Sequence, residues 1–356
     1  MFRLKSQLKF RFEIFSLLLC VSLFFFLVSC ASSGAVSAEE YFSIGMAYYD
    51  MGKYAEAEQW LNKARASNKT MVASEYNLGR IAFETGRYEE AALHFENILK
   101  QDSENVMALK AAAYSRIKNG DLDKAEALYN RLLVLVPESA DDGYNYALVL
   151  YSLKKYENCE EVLKKYPYAF EENGDSLLLL ARAQKAQNKV EAMDTYAKWT
   201  TSGTGQNDPQ GLYEYAQTLE SAGFYARALE QYKAAINALT ADTDNLKKSK
   251  LRFEEARLLL TADPDNSEGL TELTTSVTEG FADMAAIQAL LGDDRISAAN
   301  MDGIRKVLSD MVNNSEQNQQ QDQQQDNQQQ DDSQQQDQNI RFRVVPIVPI
   351  NENTLA

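Results

Sequence analysis

Apolar and small residues recur along the chain with a short period and a long one. Within short stretches they lie three and four residues apart, as in Tyr41, Ile44, Gly45 and Tyr48, and this spacing places them on one face of an α-helix. The longer period is 34 residues, marked by Gly45 and Gly79, by Gly52, Gly86 and Gly120, and by Ala57, Ala91 and Ala125. The pattern predicts pairs of helices that bury their apolar faces by stacking on one another.

The 34-residue pattern predicts about six units between residues 38 and 242. These units begin at Ala38, Val72, Val106, Ala140, about Asn173 and Pro209. The first three keep the spacing without a slip, and the fourth has Lys154 where the earlier units have a turn glycine. The fifth unit is expected to turn at Gln187, with its register shifted by one residue, before the sixth recovers the pattern.

The small residues at the eighth and twentieth positions of each unit resemble those of tetratricopeptide repeats, where they let two helices pack closely. The resemblance implies an all-α fold, an α-α superhelical solenoid of about six repeats over residues 38–242. Helical periodicity continues after the repeats, over Leu246–Leu260, Gly269–Val277, Phe281–Leu291 and Ser297–Val312. We interpret residues 243–312 as capping helices that close the stack, with a separate helical interaction module as the alternative.

The first 29 residues are interpreted as a lipoprotein signal peptide. A basic start precedes an apolar run of 15 residues, Ile14 to Val28, and a membrane-spanning helix needs about 20. Residues 27–30 resemble the lipobox of bacterial lipoproteins, which implies a lipid on Cys30 and a short linker over residues 30–37. The resemblance implies a protein anchored by lipid to a membrane of the bacterial cell envelope and facing the periplasm. An uncleaved signal anchor is the alternative.

Charge and composition limit the partners. The formal net charge of the chain is −16, which argues against binding to nucleic acid or to a bare anionic membrane. Residues 313–339 are rich in Gln, Asp and Asn and are expected to be a disordered linker. Residues 340–356 form an apolar tail, expected to be extended, that either docks on a partner or on the protein's own groove or is an unstructured remnant.

In tetratricopeptide repeats the first helix of each unit lines a concave groove, which implies partner-binding residues at the second, fifth, ninth and twelfth positions. The candidates are Phe42, Tyr49, Tyr76, Arg80, Phe83, Lys110, Tyr114, Tyr144, Tyr151 and Tyr213. The chain holds 19 tyrosines, so packing between repeats is the alternative role for several of them. One variant of the family grips a C-terminal carboxylate with Lys and Asn, but Phe42 and Met46 replace the first such pair here.

No catalytic or cofactor-binding pattern is evident. The sequence has a single histidine, His94, and neither zinc-ligand spacing nor a dinucleotide fingerprint, so we predict that the protein is not an enzyme and uses no cofactor or metal. The hypothesis is a membrane-anchored periplasmic adaptor that binds a protein or peptide partner in an aromatic groove. The alternative is a lipoprotein that binds a small hydrophobic ligand as partner of a transporter's solute-binding component. The sequence leaves the oligomeric state open.

Overall fold

The computed structural model describes residues 36–166, 174–263 and 267–322. Within these ranges the chain forms sixteen α-helices, one short 3-10 helix (Gly205–Asn207) and no strand. The helices are α1 (Ala38–Asp50), α2 (Tyr54–Ser67), α3 (Val72–Glu84), α4 (Tyr88–Gln101), α5 (Val106–Lys118), α6 (Leu122–Leu135), α7 (Ala140–Ser152), α8 (Tyr156–Lys164), α9 (Gly174–Ala186), α10 (Glu191–Thr200), α11 (Pro209–Ser221), α12 (Tyr225–Ala238), α13 (Lys248–Ala262), α14 (Glu268–Thr278), α15 (Met284–Leu290) and α16 (Ala298–Asp322). The predicted all-α repeat arrangement is confirmed. The chain divides between Asn119 and Gly120 into two compact units, which we call the N-terminal and C-terminal units.

The N-terminal unit contains α1 to α5. Helix α1 packs on α2 and α3 on α4, while α2 contacts α3 and α4 contacts α5, so consecutive helices bury one another's apolar faces. A capping box starts α1, because the Ser37 hydroxyl accepts from the Glu40 amide and the Glu40 carboxylate accepts from the Ser37 amide. The core of the first two pairs includes the buried side chains of Phe42, Leu61 and Ile81.

Small residues allow the two helices of each pair to approach closely. A Cβ atom added to Gly45 would lie 2.8 Å from Cγ of Leu61, and one added to Gly79 would lie 2.8 Å from the Phe95 ring. Ala57 and Ala91, at the twentieth position of their units, are fully buried. The sequence-based explanation for these small residues, close approach of two helix backbones, is therefore confirmed.

The turns between paired helices use the left-handed backbone conformation. Gly52 and Gly86 have φ of 71° and 76°, and in the C-terminal unit Lys154 and Asn188 take this role with φ of 60° and 56°. The prediction of Gln187 at the fifth turn is wrong, because Asn188 is the left-handed residue. Asn tolerates this conformation better than Gln because its short polar side chain hydrogen-bonds locally. Asn188 follows Lys154 by 34 residues, so the fifth turn is in register.

Replacing Lys154 with glycine should stabilise the protein. A side chain at positive φ costs about 1 to 2 kcal/mol, part of which is offset by the larger chain entropy that glycine loses on folding. We expect a gain of about 0.5 to 1 kcal/mol in the free energy of unfolding, measured by chemical denaturation. Gly86→Ala is the converse control and should lose about 1 kcal/mol. A loss of stability in the Lys154→Gly variant would contradict this account of the turn.

The C-terminal unit contains α6 to α16. Helix α6 packs on α7, and the pairs α7 with α8, α9 with α10 and α11 with α12 follow in order. Asp208 caps α11 by accepting from the amides of Gln210 and Gly211, with Pro209 in the first turn. Cys159 lies in the core beside Leu163. Burial raises the pKa of the Cys159 thiol to about 12, so this residue stays a protonated packing group at neutral pH.

The four helices after the repeats follow the predicted periodicity, except that the last one, α16, runs past the predicted end at Val312. Helix α13 packs on α12 and α14, and the rings of Phe253 and Phe281 stack 4.3 Å apart. Helix α16 runs to Asp322, so residues 313–322 of the tract expected to be disordered are helical. Glutamine is a good helix former, and each residue added to an existing helix gains a hydrogen bond, so a polar composition does not prevent these residues from extending α16.

Several predictions concern residues outside the described ranges. They are the signal peptide over 1–29, Cys30 with most of the linker over 30–37, residues 323–339 of the Gln-rich tract and the tail over 340–356. Within the described part of the chain, none of the helices combines the length and the apolar character needed to cross a bilayer.

Candidate functional site

The ten candidate partner-binding residues lie on first helices: α1, α3 and α5 in the N-terminal unit, and α7 and α11 in the C-terminal unit. Their exposure depends on their position in the repeat. The aromatic residues at the fifth position are buried, namely Phe42, Tyr76, Tyr144 and Tyr213. Those at the twelfth position are half-buried, namely Tyr49, Phe83 and Tyr151. The twelfth-position side chains are therefore the ones that remain partly open to a partner.

Four candidate residues of the N-terminal unit make contacts in two pairs between successive first helices; Tyr49 and Phe83 are half-buried, and Arg80 and Tyr114 are buried. The Tyr49 hydroxyl on α1 accepts a hydrogen bond of 2.8 Å from the Arg80 guanidinium on α3, which lies 4.4 Å from the centre of the Tyr49 ring. One helical turn further along α3, the Phe83 ring lies 5.3 Å from the Tyr114 ring on α5. We call Tyr49, Arg80, Phe83 and Tyr114 the aromatic face. It extends over three successive first helices.

The buried fifth-position residues pack against second helices. The Tyr76 ring lies 5.1 Å from Phe95 on α4, and burial raises the pKa of Tyr76 to about 12. In the C-terminal unit the Tyr213 ring lies 6.1 Å from Tyr232 on α12, and burial likewise raises the pKa of Tyr213 to about 12. These tyrosines stay neutral, and their rings fill the seam between the two helices of a pair.

Charged side chains surround the candidate residue Tyr151 in the C-terminal unit. Burial raises the pKa of Tyr151, and the nearby Arg182 and Glu214 act on it in opposite directions. Arg182 on α9 and Glu214 on α11 form an ion pair with a nitrogen-to-oxygen distance of 2.6 Å. This pairing was not foreseen, because its two members lie 32 residues apart and share no motif.

An open cavity of about 400 Å³ lies in the C-terminal unit, between α9, α11 and α13. Its lining is mostly polar and includes Lys185, Glu220, Glu254, Arg257 and Arg295. Arg257 pairs with Glu220 at 2.7 Å, and the Tyr232 hydroxyl donates to Glu220 at 2.9 Å, so these groups satisfy one another. Such a lining does not suit the small hydrophobic ligand of the alternative hypothesis.

His94 takes part in a network that links α2, α3 and α4. Its side chain is 13% exposed, and its Nδ1 atom lies 3.0 Å from Oε1 of Glu75. Asn97 and Arg65 also donate to the Glu75 carboxylate. Burial raises the pKa of Glu75, but the hydrogen bonds from His94, Asn97 and Arg65 outweigh it and bring the pKa to about 2. Among the described residues, no cluster of three acidic, His or Cys side chains suits a metal ion.

This network makes the stability of the N-terminal unit depend on pH. The pKa of Glu75 falls from an ordinary value of 4.5 to about 2 on folding, so its contribution is present above pH 4.5 and is lost as the pH falls towards 2. We expect Glu75→Gln to remove on the order of 1 to 3 kcal/mol at pH 7 and little at pH 2. Thermal melts of both proteins across this range measure the difference.

The matched control for this prediction is Glu56→Gln, which removes an exposed carboxylate from α2. Its stability should change with pH as that of the unmodified protein does. A constant difference between Glu75→Gln and the unmodified protein from pH 7 to pH 2 would contradict the role given to the Glu75 carboxylate.

The architecture of both units, helix pairs in a regular repeat, defines the class of helical-repeat proteins. The family model for the tetratricopeptide repeat matches residues 42–106 and 76–142. The chain therefore contains tetratricopeptide repeats, which confirms the resemblance seen in the sequence. Residues 118–198 are also similar to the family model for subunit 3 of the anaphase-promoting complex, or cyclosome.

Two curated proteins and one solved structure illustrate the similarity. The chain is 26% identical over 164 residues, 46% of its length, to an uncharacterized lipoprotein of Treponema pallidum, of which it spans 84%. It is 25% identical over 216 residues, 59% of its length, to a TPR repeat-containing protein of Methanocaldococcus jannaschii, of which it spans 34%. A crystal structure of a tetratricopeptide repeat protein from Parabacteroides merdae aligns with 72% of this chain and 98% of its own, at 21% identity and a TM-score of 0.49.

Proposed function

We propose that the protein is a lipid-anchored scaffold of the bacterial envelope that binds a protein or peptide partner on the aromatic face. The observation that carries the proposal is that contacts between candidate residues join each first helix of this unit to the next. Tyr49 contacts Arg80, and Phe83 contacts Tyr114, across three successive first helices. Stacked repeats present extended surfaces of this kind to partners, and a peptide lying across them would meet one repeat after another.

The chemistry of the aromatic face suits a protein interface. Tyrosine, phenylalanine and arginine dominate the binding energy of many interfaces, because they offer a large contact area with few rotatable bonds or several hydrogen-bond donors. Tyr49 and Phe83 are half-buried, so their rings are already held by neighbours and lose little freedom when a partner covers them. The face is thus largely ordered before binding.

The proposed anchor is a lipid on Cys30, with the repeats on the periplasmic side of a membrane. Its support is the lipobox-like sequence ending at Cys30 and the similarity to a Treponema pallidum protein described as a lipoprotein. The linker from residue 30 to residue 37 reaches no further than about 25 Å, at about 3.6 Å for each residue. This tether would keep the first repeat close to the bilayer and favour partners near the membrane.

Co-purification tests the proposed function. The tagged full chain is captured from detergent-solubilised membranes of the organism, and its partners are compared with those of a Tyr49→Ala/Phe83→Ala double variant. We expect at least one protein to be retained by the unmodified chain and to be lost with the double variant. Leu93→Ala is the matched control, because Leu93 is 46% exposed on the second helix α4. An unchanged set of partners in the folded double variant would rule the aromatic face out as the binding site.

A further inference from the structure

Arg80 on α3 is a buried cation that forms no ion pair with any residue in the described part of the chain. Its side chain is 5% exposed, and its two terminal nitrogens donate to neutral groups, Oδ1 of Asn77 and the hydroxyl of Tyr49, each at 2.8 Å. Its Nε atom is buried and has no hydrogen-bond partner among the residues that the structure describes. A buried guanidinium normally pairs with a carboxylate, because removing a charge from water is expensive unless an opposite charge compensates it.

Arg116, in the same unit, is a buried arginine whose charge is compensated by carboxylates. It is 2% exposed, and it pairs with Glu89 and, at 2.8 Å, with Glu96. The chain carries 52 acidic residues against 36 basic ones, so carboxylates are abundant. Arg80 is thus a buried arginine that forms no ion pair with a described carboxylate, within an acidic protein.

The position of Arg80 places its charge within the surface assigned to the partner. It lies on the aromatic face, one helical turn from Phe83 and stacked on Tyr49. Both neighbouring rings are half-buried, so the guanidinium lies one side chain below the surface.

We propose that Arg80 binds a carboxylate of the partner, namely an Asp or Glu side chain within a segment laid across the aromatic face; this rests on the proposed function. Binding requires the Tyr49 side chain to move aside, after which the carboxylate accepts hydrogen bonds from Nε and one terminal nitrogen of Arg80, in the paired geometry that guanidinium and carboxylate groups favour. The aromatic rings on either side hold the apolar part of the segment. The partner class is thus an acidic peptide segment with apolar or aromatic neighbours.

Selection from random peptide libraries tests this inference on the purified full chain. One library presents the random peptides between constant flanking sequences, and a second presents them with a free C-terminal carboxylate. From the first library we expect binders with Asp or Glu enriched at one position. Their affinity should fall by roughly 10- to 100-fold with Arg80→Gln, since a buried hydrogen bond between charged groups is worth about 1.5 to 3 kcal/mol. Arg80→Lys should lose less, because it keeps the charge.

Arg87→Gln is the matched control, because Arg87 is in the same unit but pairs with Glu58 and Glu90 at the turn before α4. It should leave the affinity unchanged. Arg80→Gln should fold, since it removes a buried charge and keeps an amide that hydrogen-bonds to the same neighbours. A melting temperature near that of the unmodified protein checks this.

The outcomes separate the two proposals. Binders without acidic enrichment, or binders that Arg80→Gln leaves equally tight, would overturn the role of Arg80 and leave the aromatic face standing. Binders found only in the library with free C-termini would show that the protein recognises the C-terminal carboxylate of a peptide and not an Asp or Glu side chain. That result would overturn the inference. An absence of binders from both libraries would count against the proposed function itself.

Discussion

Ala91→Leu is expected to lower the free energy of unfolding by about 1 to 3 kcal/mol. Ala91 is fully buried in the seam between α3 and α4 and occupies the twentieth position of its repeat, where the family requires a small side chain. Leucine adds three carbon atoms to a site that is already filled, so neighbouring side chains must leave their preferred rotamers or the two helices must separate. Either response reduces the contact area that holds the pair together.

Gly79→Leu should have the same effect from the opposite helix. The first atom of the new side chain would already lie 2.8 Å from the Phe95 ring, which is rigid and fully buried. Leu93→Ala on α4, a change at an exposed site, should stay within about 0.5 kcal/mol of the unmodified protein. Chemical denaturation measures all three variants, and an Ala91→Leu protein as stable as the unmodified chain would contradict the close packing described for this pair.

Cys30→Ser is expected to move the protein from the membrane fraction to the soluble fraction. Two or three acyl chains, at about 0.8 kcal/mol for each buried methylene group, hold a protein on a bilayer durably, and serine accepts no such anchor. The acidic remainder of the chain should not by itself hold the protein on an anionic bilayer. Fractionation of cells followed by immunoblotting measures the distribution.

Metabolic labelling with an alkyne analogue of palmitate separates lipidation from other causes of membrane binding. The unmodified protein and a Cys159→Ser control should both take up the label, because Cys159 is buried in the core and is not the lipid site. The Cys30→Ser variant should take up none. Membrane retention of the unlabelled Cys30→Ser protein would instead support the uncleaved signal anchor.

The sequence predicted the helices and most turns because both are encoded locally. Gly52 and Gly86 indicate turns in the left-handed conformation, and Gly45 and Gly79 indicate close packing of two helices. The identity of these residues is enough to locate both features. The prediction of the residue at the fifth turn was wrong because neither Gln187 nor Asn188 is a glycine. The choice between them depends on how well each side chain tolerates positive φ, a small energy difference that apolar spacing does not reveal.

The depth of the candidate residues could not be predicted. Periodicity assigns a residue to a helix face, but the next helix decides how far that face is covered. The repeat positions of Tyr76 and Phe83 predict that both line the groove, yet Tyr76 is buried against Phe95 whereas Phe83 is half-buried. Spacing within one helix contains no information about Phe95, which lies on another helix.

The interactions of the charged side chains also could not be predicted from the sequence. The Glu75 carboxylate is hydrogen-bonded to side chains that lie 10, 19 and 22 residues away in the sequence, and no sequence motif joins these residues. The lack of an ion pair at Arg80 is harder still to predict, because it depends on where every described carboxylate lies in the fold. Only the folded arrangement distinguishes Arg80 from the paired Arg116.

Site-specific photo-crosslinking tests the central claim most directly, namely that a partner binds the aromatic face. A photoreactive phenylalanine analogue is placed in living cells at position 83 on α3, and in a parallel strain at position 93 on α4. The account predicts a discrete crosslinked protein from position 83 that is absent from position 93. A crosslink from position 93 with none from position 83 would show that the partner binds the second helices and would contradict the account.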